Sequence, residues 1–93
     1  MTPYSIRYTD AYNRRAARFF KRHPRLLKPY DKAMQLLTHD PFHPSLRLHK
    51  LQGRLHELHS ISINLSYRVV IHFVIEDQLI IPVDIGDHDQ AYR

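Results

Sequence analysis

YRVVIHFVI, Tyr67 to Ile75, is the stretch that decides the fold. In an extended chain Tyr67, Val69, Ile71, Phe73 and Ile75 share one side, and Arg68, Val70 and His72 share the other. β-Branched and aromatic residues dominate, as they do in strands. The first side is wholly apolar and needs a covering layer. The second carries an arginine and a histidine, which predicts a face left open. The neighbouring segments read the same way. Leu58–Ile63 alternates, Asn64–Ser66 makes a turn, Glu76–Gln78 makes another, and Leu79–Ile85 is a last strand. Connections this short join antiparallel neighbours, so the three strands form a meander. Pro82 cannot donate to a strand ladder, and a bulge or an unpaired edge is expected there.

The covering layer comes from the N-terminal half. Tyr4–Tyr8 alternates, with Tyr4, Ile6 and Tyr8 on one face, and predicts a short strand. Thr9 or Asp10 then supplies a helix cap. Tyr12, Ala16, Phe19 and Phe20 follow at helical spacing as one apolar stripe, with Arg14, Arg15, Arg18, Lys21 and Arg22 on the other face. Pro24 ends this helix and opens a second, whose period runs through Leu26, Leu27, Tyr30, Ala33, Met34 and Leu37. Asp40 and Pro41 stop it. Pro41–Gly53 reads as a loop with an extended stretch at Leu46–Leu48. The fold class is therefore α+β, in the order β-α-α-β-β-β, with a helical hairpin packed on one face of a small, largely antiparallel sheet. Residues 1–93 form a single domain.

The composition narrows the function. Of 93 residues, 43% are hydrophobic, a globular proportion. There is no cysteine, hence no disulfide and no thiolate metal site. No apolar run is long enough for a signal peptide or a membrane span, so a soluble, cytoplasmic protein is expected. Fourteen Lys and Arg against nine Asp and Glu give a net charge of +5, with eight histidines besides. This balance fits a polyanionic partner and equally an ordinary basic surface.

Three groups of residues can carry chemistry. The run GDHDQAYR, Gly86 to Arg93, holds His88 between carboxylates after a glycine able to turn the chain. An imidazole that titrates near neutrality can take or give a proton, although a short run of this kind is more often a solvated tail. RLHKLQGRLHELH, Arg47 to His59, gathers Arg47, Lys50 and Arg54 with His49, His56 and His59 around Gly53. Its cations suit phosphate contacts, and the alternative is a charged loop in water. No metal site is expected, because His56, Glu57 and His59 lack the spacing of a helical histidine pair and Pro41 separates His39 from His43. Arg68, on the open side of the decisive strand, brings a planar permanent charge suited to a phosphorane-like transition state.

KLQG (Lys50–Gly53), SYRVVIHF (Ser66–Phe73) and VDIGDHDQAY (Val83–Tyr92), in this order of elements, resemble the RelE/ParE superfamily of type II toxin–antitoxin toxins, specifically the RelE-like branch with a C-terminal histidine. The resemblance covers nearly the whole chain. It implies a ribosome-dependent endoribonuclease, an mRNA interferase that inhibits translation. The substrate 2′-hydroxyl attacks the adjacent phosphate without a metal or other cofactor. It assigns His88 to proton transfer, Arg68 to charge on the scissile phosphate, Tyr92 to the substrate base and Lys50 to the basic position before the glycine turn. Arg47, His49, Arg54 and His59 become RNA contacts. The implied partners are a cognate antitoxin, the ribosome and mRNA. The chain departs at HSIS, His59–Ser62, where many relatives carry tryptophan and then arginine, and at Ser45, near the place of an acidic base in some members. Two other readings follow from the same resemblance: a ParE-like inhibitor of DNA gyrase without ribonuclease activity, and a degenerate member that only binds its antitoxin.

Overall fold

The computed structural model describes residues 4–53, 57–74 and 76–87. Its elements are β1 (Ser5–Ile6), α1 (Asp10–Arg22), α2 (Leu27–His39), β2 (His49–Lys50), β3 (His59–Ser62), β4 (Tyr67–Val74) and β5 (Leu79–Asp87). Thr9 caps α1, its Oγ1 accepting the Tyr12 N–H at 3.1 Å. At the other end the His23 N–H donates to the Phe19 carbonyl at 3.0 Å. Pro24 then opens a 3-10 turn, Pro24–Leu26, that leads directly into α2. α2 closes at Asp40, whose N–H reaches the Leu36 carbonyl at 2.7 Å, just ahead of Pro41. Both helices start and stop at the residues the sequence marks.

The sheet has five strands in the order β1-β5-β4-β3-β2. β3, β4 and β5 form the expected antiparallel meander, and β1 joins it parallel to β5. β2 pairs antiparallel with β3 and adds a strand that the sequence reading did not assign. Leu46–Leu48 was the expected extended stretch, but Pro44–Leu46 is a 3-10 turn and Arg47 is left-handed at φ 48°. Pro44 fixes a helical φ there, and His43 Nδ1 accepts the Ser45 N–H at 3.2 Å, so the chain straightens only at His49. At the other edge β1 ends at Ile6, short of Tyr8, which lies 47% exposed.

Pro82 produces the expected irregularity. Val70 pairs with Asp84 and Ile71 with Pro82, leaving Val83 as an extra residue in β5. Val83 packs with Val70 on one side of the sheet, while Asp84 approaches Arg15 of α1 on the other. The bulge resets the alternation, so that Ile85 returns to the core beneath the helices and Gly86 lies opposite Arg68.

The core fills the space between the hairpin and the inner face of the sheet. Tyr12, Leu37, Ile61, Val69, Ile71 and Ile80 are essentially inaccessible to water. Each buried aliphatic side chain contributes roughly 1.5–3 kcal/mol. Two tyrosines are set into this apolar layer, and their hydroxyls meet at 2.9 Å between α1 (Tyr12) and α2 (Tyr30). Burial is the main reason both phenols resist ionisation; Tyr30 is pushed up to about 12 and Tyr12 higher. Replacement of Tyr12 by Phe keeps the ring and removes this hydrogen bond between α1 and α2. The expected loss is about 1–2 kcal/mol, read as a fall in Tm of several degrees in paired thermal melts.

Candidate active site

β4 divides the molecule chemically. Tyr67, Val69, Ile71 and Phe73 join the core under the helices. Arg68, Val70 and His72 take the other face. That face is less open than the alternation implied, because Leu51, Leu58 and Val83 close over Val70 as a second small apolar cluster. Beside this cluster the polar groups gather. Register places His49 opposite Ser60 and Ser60 opposite Val70, and residues paired in this way point to the same side of the sheet. Arg68 reaches diagonally across, its Nη1 donating to Ser60 Oγ at 3.3 Å. Ser60 is fully buried, so it anchors the guanidinium from beneath. Gly86, opposite Arg68 on β5, puts no side chain into the space beside it.

His49 contributes a particular tautomer. Its Nδ1 lies 3.2 Å from the Arg47 carbonyl, which can only accept. Nδ1 therefore carries the hydrogen, and Nε2 is the nitrogen able to take a proton. A half-buried arginine, the serine that fixes it and a histidine with a basic Nε2 thus form one row across β4, β3 and β2. This row can hold an anion and exchange a proton next to it. Ser60 was missed by the sequence reading. The signal was available: a serine one strand away from an outward arginine, on the same parity.

Two sequence-assigned residues fall on the other parity. Lys50 pairs with His59, and His59 pairs with Ile71, a core residue. The His59 ring lies 5.8 Å from that of Phe73. Burial lowers its pKa, and the charges of Lys50, His49 and His72 lower it further. His59 is thus a neutral ring against the apolar layer, not a cation on the arginine face, and Lys50 shares its side. The reason is the period of two, which separates His49 from Lys50 although they are adjacent. Arg47 is exposed in its left-handed turn.

His88, Tyr92 and Arg54 lie outside the described residues. Gly86 was expected to turn the chain, yet it lies within β5, which continues through Asp87 beside Tyr67. Ser45 and Ser62, at the two places where the resemblance breaks, line one shallow cleft of about 250 Å³ with Leu36 and Leu46. Ser62 Oγ is buried without a hydrogen-bond partner. Among the described residues no histidines and carboxylates group as a metal site, and no helix is long and apolar enough to cross a membrane.

No family model and no curated protein matches the sequence. Solved structures do match. The toxin YafQ from E. coli superposes with a TM-score of 0.71 at 16% identity, over 97% of this chain and 99% of that one. A YoeB/ParE toxin from Agrobacterium tumefaciens gives 0.71 at 16% identity, over 90% and 98%. The E. coli DinJ–YafQ toxin–antitoxin complex gives 0.71 at 20% identity, over 98% and 99%. The chain has the RelE/ParE toxin fold. The RelE-like architecture thus accounts for the parallel first strand, the helical hairpin and the meander together.

The His59 assignment has a measurable consequence. Its folded-state pKa lies below the ordinary 6.5, so well above that pH the ring is neutral in both states and no stability is lost. As pH falls below about 6.5 the unfolded chain takes the proton first, and stability drops until pH passes the folded value. His59→Leu should lose less Tm than wild type between about pH 7.5 and pH 5. Equal losses in the two proteins would remove His59 from the apolar layer.

Proposed function

We propose that this protein is the toxin of a type II toxin–antitoxin pair and that it cleaves messenger RNA on the ribosome. The observation that carries this reading is the row of Arg68, Ser60 and His49 on one face of a sheet whose fold is that of known toxins. RNA cleavage of this kind needs an aligned 2′-hydroxyl, two proton transfers and compensation of charge on the phosphate; alignment supplies much of the gain. In the proposed scheme the 2′-oxygen bonds to phosphorus and the 5′-oxygen leaves. The products are a 2′,3′-cyclic phosphate and a 5′-hydroxyl. Arg68, fixed by Ser60, neutralises the equatorial oxygens. His88 transfers one proton. His49 Nε2 is the natural partner for the other, a role that the sequence alone left without a candidate. Tyr92 stacks on the base, and Arg47 and Arg54 hold neighbouring phosphates. The scheme uses no cofactor.

A cognate antitoxin is the second part of the proposal. The positive charge of the chain and the existence of a DinJ–YafQ complex with the same toxin fold support it. A partner with an acidic segment would cover the arginine face and keep the toxin silent.

Primer extension along a reporter messenger in a translating extract tests the enzyme reading. Wild type should cut, and Arg68→Gln and His88→Gln should each cut at least ~100-fold more slowly with unchanged Tm. Intact messenger with wild-type protein would sink the ribonuclease reading and direct attention to a gyrase supercoiling assay.

A further inference from the structure

A second basic surface lies on the helix side of the sheet. Tyr67 marks it, as Arg68, the next residue of β4, marks the opposite face. Between the C-terminal half of α1 and the ends of β4 and β5 runs an open cleft of about 410 Å³, within the roughly 300–1,000 Å³ typical of ligand sites. Its floor is aromatic. Ring centroids of Phe19 and His23 lie 4.6 Å apart, those of His23 and Tyr67 4.9 Å, and those of Phe19 and Tyr67 5.5 Å. His23 and Tyr67 are only partly buried and present ring surface to the cleft.

One wall is a stripe of arginines, Arg15, Arg18 and Arg22, at helical spacing along α1. Arg15 is engaged, donating to the Val83 carbonyl at 3.1 Å and lying 3.9 Å from Asp84. Arg18 and Arg22 make no hydrogen bond or ion pair among the described residues, and both are exposed. The facing wall carries Asp84 and Asp87. Past Arg22 and Tyr67 the cleft continues into a hollow of about 290 Å³ bounded by Arg25 and Leu26.

We propose that this cleft binds a single-stranded RNA segment, with phosphates on Arg18 and Arg22 and one unstacked base against Tyr67 and His23. Uncommitted guanidinium groups beside an aromatic floor match alternating phosphate and base, the pattern of single-strand recognition. A duplex keeps its base faces inside and cannot use the floor. An acidic peptide would satisfy the arginines but would meet Asp84 and Asp87 with its own carboxylates. A nucleobase instead offers amino and imino hydrogens that those carboxylates accept. The proposal shares with the preceding section the premise that RNA is the ligand, but not the cleavage step. It gives the protein a grip on RNA separate from the face of Arg68.

The test uses the full chain, without ribosomes, and a fluorescent single-stranded RNA octamer bearing 2′-O-methyl sugars, which 2′-hydroxyl attack cannot cleave. Anisotropy should show Arg18→Gln/Arg22→Gln binding at least ten-fold more weakly than wild type. The slope of log affinity against log salt should fall by about 1.4, some 0.7 for each lost phosphate contact. Lys28→Gln/Lys32→Gln, which removes the same charge from α2, should change affinity by less than three-fold. A 2-aminopurine base in the probe should be quenched by wild type and not by Tyr67→Leu, with thermal melts confirming that the variant is folded. Equal weakening in the two double variants, or an unquenched probe, would overturn the proposal. So would an acidic peptide that binds with the same dependence on Arg18 and Arg22 where the octamer does not. Messenger left intact by a wild type that still binds the octamer through the cleft would refute only the cleavage reading.

Discussion

The pairing of β4 on both of its edges is the constraint on which the rest of the structure depends. β3 lies on one side and β5 on the other, so Val69, Val70 and Ile71 are paired on both edges and the strand cannot rotate. Its side chains are then forced alternately up and down. Val69, Ile71 and Phe73 are held under the hairpin, and Arg68 is held away from it. A slip of one residue would place the guanidinium among the core leucines and isoleucines, where an unpaired charge is prohibitively costly. Apolar burial on one face therefore fixes the charge on the other.

The same constraint explains the bulge. β5 must supply Ile80 to the core at one end and Ile85 at the other, five positions apart, which plain alternation cannot do. The extra Val83 absorbs the odd residue, and Pro82, with no N–H to offer, sits where the ladder is already irregular. The bulge thereby serves both faces. It completes the core and brings Gly86 alongside Arg68.

Most of the fold was legible in the sequence because its signals are local. Thr9, Pro24 and Pro41 bound the helices, and short turns order the meander. β2 was not legible: two residues carry no period, and the strand exists because β3 offers an edge and the left-handed turn at Arg47 aims the chain along it. The candidate site was legible in part. Arg68 declares its face through the residues around it, whereas the parity of His49 and Lys50 depends on a register set from outside their segment. The alternation of its own strand already sets His59 with Ile61 and Ile63; that this is the core side shows only in its pairing with Ile71 and its contact with Phe73 on β4. Ser60 was legible in principle, as a serine on the neighbouring strand with the parity of Arg68.

Parity sets His49 in the row of Arg68 and Ser60 and its neighbour Lys50 on the other side of β2. The most direct measurement compares single-turnover cleavage of a ribosome-bound messenger by His49→Gln and Lys50→Gln, each checked for folding by thermal melting. His49→Gln should slow cleavage at least ~10-fold while Lys50→Gln stays near wild type. The reverse order, or equal losses, would contradict this placement.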